Sequence, residues 1–135
     1  MNEARWFSLL LATGAVLEIP VGLGLLVIPS ALASLLLGAP LEGPGLVIAR
    51  LAGGGLLGLG VACWFARSTP TVRASLGVAG ALLVYNIVAC VTLALVQPGS
   101  AGRALSLGAA VLHGLLAAGL LAAFTAQLLK PIGRK

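Results

Sequence analysis

The chain has 135 residues, of which 60% are apolar and only 8% charged, with a formal net charge of +5. A soluble domain carries about 25% charged residues, so this composition excludes an ordinary water-soluble fold and turns most of the surface toward lipid. Nucleic acid is excluded as a partner as well, because the basic residues form no stripe with interleaved aromatics. By length the chain is one domain, 1–135, embedded in the bilayer.

The first apolar segment, 7–28, is long enough to cross about 30 Å of hydrocarbon at 1.5 Å per residue. Its sequence "LATGAVLEIPVGLGLL" carries Glu18 in the middle, followed by Pro20. Arg5 ahead of it and "ALA" at 31–33 imitate a secretion leader. The apolar run exceeds the 7–15 residues or so of a leader's core and contains a carboxylate, so a retained span is expected. After Pro29 comes "SALASLLLG", too short to span. It reads as an interfacial or re-entrant helix with Ser30 as N-cap and Gly38 as its stop, the alternative being an extension of the first helix beyond a Pro29 kink.

The second segment, 46–66, contains Arg50 and the run "GGGLLGLG". The third, 76–96, contains "YN", Tyr85 and Asn86, and the fourth, 104–126, contains His113. The breakers "RSTPTVR" and "QPGSAGR" separate them, and "KPIGRK" follows. The fold expected is therefore all-α, a polytopic four-helix membrane bundle. Arg5, Arg67, Arg73, Lys130, Arg134 and Lys135 fall on one side and Arg103 on the other. That bias predicts an inner-membrane protein with both termini in the cytoplasm, and it argues against dual topology.

Four strongly polar side chains, one per span, come close in depth. Glu18 and Asn86 lie about 16 Å from one face and His113 about 14 Å from the other. Arg50 starts nearer the surface but has a stem that reaches inward. Small-residue faces suggest which way they point. Gly14, Glu18 and Gly22 share a stripe, as do Arg50, Gly54, Gly58 and Ala62, while Ala110, Gly114 and Ala118 run beside His113. Such faces mark helix contacts in membranes, within one bundle or between partners and copies of the chain. The expectation is a network of Glu18, Arg50, Asn86, His113 and Tyr85, in which Arg50 supplies the counter-charge to Glu18. Intramembrane ionisable residues point to function by default, although a buried ion pair can also do no more than set helix register.

Other chemistry is thinly supported. His113 is the only histidine, which excludes a bis-histidine haem within one chain, and Met1 is the only methionine. Cys63 and Cys90 are expected at different depths, as packing residues rather than a disulfide. Trp6 and Trp64 read as interfacial anchors. No cofactor and no metal are expected. HExxH, GxSxG and phosphate-cradling signatures are absent, so an enzyme is the weaker reading.

The stretch from Leu17 to Arg67, "LEIPVGLGLLVIPSALASLLLGAPLEGPGLVIARLAGGGLLGLGVACWFAR", with "YN" at 85–86 and His113, resembles small bacterial four-helix membrane proteins that are loosely DoxX-like. The resemblance implies a four-helix bundle able to serve as a small subunit beside membrane redox proteins, with quinone or thiol chemistry nearby. The chain lacks the CxxC that direct thiol redox would use. Three roles follow: binding of a small polar or amphipathic ligand or proton relay in transport; an accessory subunit of a larger complex; or an enzyme acting on lipid or quinone.

Overall fold

In a computed structural model, residues 3–68, 72–96 and 100–128 are described; the basic residues Lys130, Arg134 and Lys135 lie outside them. The described residues form five helices and no strand: α1 (Glu3–Val27), α2 (Pro29–Leu37), α3 (Pro44–Ala66), α4 (Val72–Leu95) and α5 (Ser100–Leu128). All but α2 are long and apolar enough to cross a membrane. Helices α1 and α5 start a few residues before their apolar runs. The run marks the hydrocarbon, but the backbone stays helical into the polar margin, where its hydrogen bonds are still satisfied internally.

Helix α2 is a separate nine-residue element. The chain breaks at Ile28, Pro29 takes the first helical position, where its missing N–H costs nothing, and Gly38 closes the helix in the left-handed conformation with φ 77°. Ser30 is not its N-cap, contrary to the sequence reading, because Pro29 already starts the helix. The Ser30 hydroxyl instead accepts a hydrogen bond from the Leu41 N–H at 3.2 Å and folds the following loop back. The Ser106 hydroxyl of α5 donates to the Leu36 carbonyl, tying α2 across the end of the bundle.

The spans associate as two tight pairs, α1 with α3 and α4 with α5, and the pairs meet more sparingly. Glycine sets the first pair. A Cβ on Gly22 would stand 2.6 Å from the Leu57 nitrogen, and one on Gly53 would stand 2.8 Å from the Gly22 carbonyl oxygen, so the two backbones touch there. Gly60 repeats the contact about two turns on, against Ile19 and Glu18. This corrects the expected inner face of α3. Gly54 and Gly58 are exposed, and nothing lies within 4 Å of a Cβ at either. Residues 53–55 point about 100° apart in turn, and the match to Gly22 selects Gly53 as the inward one. The core is filled by Leu11, Leu82, Leu120, Ala15 and Cys63. At the end away from α2, the Arg67 guanidinium lies 3.6 Å from the ring centre of the exposed Trp64, a cation–π contact suited to an interfacial anchor.

Candidate functional site

Glu18 reaches the middle of the bundle because Gly14 and Gly22, one turn before and after it, let neighbours close over the same face. Leu82 packs on Gly14, and α3 packs on Gly22 and Gly60. The carboxyl is 1% exposed. The Tyr85 hydroxyl on α4 and the Cys63 thiol of α3 are its polar neighbours, close enough to feel its charge. Oxygen Oε1 has no hydrogen-bond partner.

Arg50 does not join this group. It is exposed on the outward side of α3 with Gly54 and Gly58, and among the described residues no cation pairs with Glu18. The rotation of α3 about its axis, set by the Gly22–Gly53 contact, turns Arg50 outward.

Asn86 is fully buried and divides its amide between two helices. Nδ2 donates to the Leu82 carbonyl at 2.8 Å, and Oδ1 stands 2.8 Å from Nδ1 of His113. With Nδ2 committed to a carbonyl, Oδ1 can only accept, so the neutral His113 ring carries its proton on Nδ1 and keeps Nε2 as an acceptor. Tyr85 completes the arrangement, its ring edge-on to His113 at 5.6 Å and 86°. Four of the five residues singled out in the sequence thus gather at one level. Cys63 joins them unforeseen. Its signal was its place on the Gly60 side of α3, which becomes visible only once Gly60 is known to touch α1.

Tyr85 and His113 also line a cleft of about 650 Å³ between the two helix pairs. Leu25, Leu56 and Leu59 form one wall, Val88 and Leu112 the other, and Leu36 of α2 closes its end. Ala52, Gly55, Val88 and Leu112 are exposed, so the cleft opens sideways on the face that meets lipid. Gly55 adds no side chain to its wall, and a Cβ there would meet nothing within 4 Å. The cleft is apolar except at Tyr85, His113 and Thr92. Glu18 and Asn86 stand behind the first two of these.

Ala110 and Gly114 of the expected α5 seam are packed, Gly114 against the Cys90 sulfur, whereas Ala118 is exposed. The buried line runs on through Ala117, Leu120 and Ala123 instead, following 3.6 residues per turn rather than a strict repeat of four. Among the described residues, no three of His, Cys, Asp and Glu gather to hold a metal. The chain matches no protein family, curated protein or solved structure with which it was compared.

Proposed function

We propose that this multi-pass membrane protein binds an amphipathic molecule in the lateral cleft, with the apolar part between the helix pairs and the polar head at Tyr85 and His113. One observation carries this reading: the opening to lipid ends on two hydrogen-bonding aromatic side chains, each backed by a buried polar group. Binding sites for small molecules are characteristically apolar with a few placed polar groups, and an intramembrane carboxyl behind such a site suits transport coupled to protons. We place the protein in the inner membrane with both termini cytoplasmic, on the basic residues at that side.

Gly55→Phe tests the cleft, because Gly55 lines it and has open space around an added Cβ, so a ring there narrows the opening. Photolabelling with a diazirine-bearing long-chain alcohol should be saturable and should mark Leu56, Leu59 and Val88. The Gly55→Phe protein should lose that labelling and keep its thermal stability. Labelling that never saturates and spreads over the whole lipid-facing surface would overturn the reading.

A second role, as an accessory subunit, is supported by the exposed glycine face of Gly54 and Gly58, where another helix can approach closely. Membership of the DoxX-like group, proposed on the residues from Leu17 to His113, points the same way.

A further inference from the structure

The unpartnered Glu18 oxygen narrows what the cleft accepts. A carboxylate buried in hydrocarbon without a cation is too costly to persist, so the empty site holds Glu18 as the neutral acid. The neighbours that share its surroundings do not alter this. Cys63 from α3 and Tyr85 from α4 are neutral or negative, His113 from α5 is turned to Asn86, and α2 contributes no titratable group. Arg50, the cation expected to answer Glu18, is exposed on the outside of α3. Among the described residues no positive charge stands beside Glu18, and its neighbour Tyr85 lines the cleft that a guest would enter. Tyr85 on the cleft wall is an aromatic side chain of the kind a large, weakly hydrated cation prefers.

We propose, resting on the cleft reading above, that the occupant is a hydrophobic monocation whose positive head takes the place of the Glu18 proton. The exchange balances: the neutral acid and a free cation become a carboxylate–cation pair held through Tyr85, and one proton leaves to the water. The site is neutral before and after, because the entering cation replaces the departing proton one for one, so neither state leaves a bare charge in lipid.

Tetraphenylphosphonium, whose charge does not titrate, and the neutral, similarly shaped tetraphenylsilane separate this inference from the reading beneath it. Both are measured by equilibrium dialysis against the purified full chain in mild detergent. Tetraphenylphosphonium should bind with release of one proton, and below the titration of Glu18 its Kd should rise by about tenfold for each unit of falling pH. Tetraphenylsilane should bind at all pH values alike. Glu18→Gln, which preserves shape, should lose tetraphenylphosphonium binding by at least tenfold together with its pH dependence, while keeping tetraphenylsilane; the retained neutral guest shows that the variant is folded. Glu18→Asp should retain cation binding and proton release. If tetraphenylsilane binds but tetraphenylphosphonium does not, or binds with no dependence on pH or on Glu18, the cation inference falls and the cleft stands. If neither binds the native protein, the cleft reading falls and takes the inference with it.

Discussion

A carboxyl in the middle of a span must be answered by some neighbour, and Arg50 on the next long helix was the natural candidate. Burial decides otherwise: Glu18 is enclosed and Arg50 is exposed. A double-mutant cycle of Glu18→Gln and Arg50→Met should therefore be additive within about 0.3–0.5 kcal/mol, as for independent sites. The same cycle on Asn86→Ala and His113→Ala should show a coupling of about 0.6–1.7 kcal/mol, the range of interhelical hydrogen bonds in membranes. Unfolding in mixed detergents measures both, and a larger coupling for the first pair than for the second would reverse the assignment. Depth along a helix was legible in the sequence, because 1.5 Å per residue converts position to height, and it brought Glu18, Asn86 and His113 to one level. Azimuth was not legible for Arg50, since the direction of a side chain depends on which face the neighbouring helix has taken.

Among the helices, the same uncertainty of rotation appears in α3, whose three consecutive glycines offer a close approach on several faces at once. The face used is the one where Gly22 supplies a matching gap. Gly22→Ala should cost about 1–3 kcal/mol, because the new methyl meets the Leu57 and Gly53 backbone, which cannot move aside as a side chain can. Gly58→Ala should be neutral or stabilise by up to about 1 kcal/mol through helix propensity alone. Thermal unfolding in detergent ranks the two, and the opposite order would turn α3 around. The existence, length and sequence of the spans were readable from apolar runs and Pro–Gly breakers. So was α2, whose stop at Gly38 follows from the one residue able to take positive φ there. The N-cap was misread at Ser30, because a proline at the first helical position removes the need for a capping hydroxyl.

For the molecule as a whole, four crossings bring the start of α1 and the end of α5 to the same side, the side of Arg5 and Arg67. Reporter fusions should therefore find the C-terminus cytoplasmic and an insertion at 97–103 on the opposite side. A C-terminal fusion active outside the cytoplasm would invert the assignment. The division into α1–α3 and α4–α5 pairs was not legible, because apolar periodicity is the same on every lipid-facing side and tells neither pair from the other. The lateral cleft follows from that division: two helix pairs that each pack tightly, and meet less closely, leave a seam between them.

The order of synthesis runs against the order of protection. Glu18 belongs to α1, which leaves the ribosome before Gly60 of α3, which packs against it, and before Tyr85 of α4. Until then α1 carries its carboxyl without the neighbours that enclose it in the folded bundle. The shelter that the folded bundle gives Glu18 is therefore assembled from elements made after it.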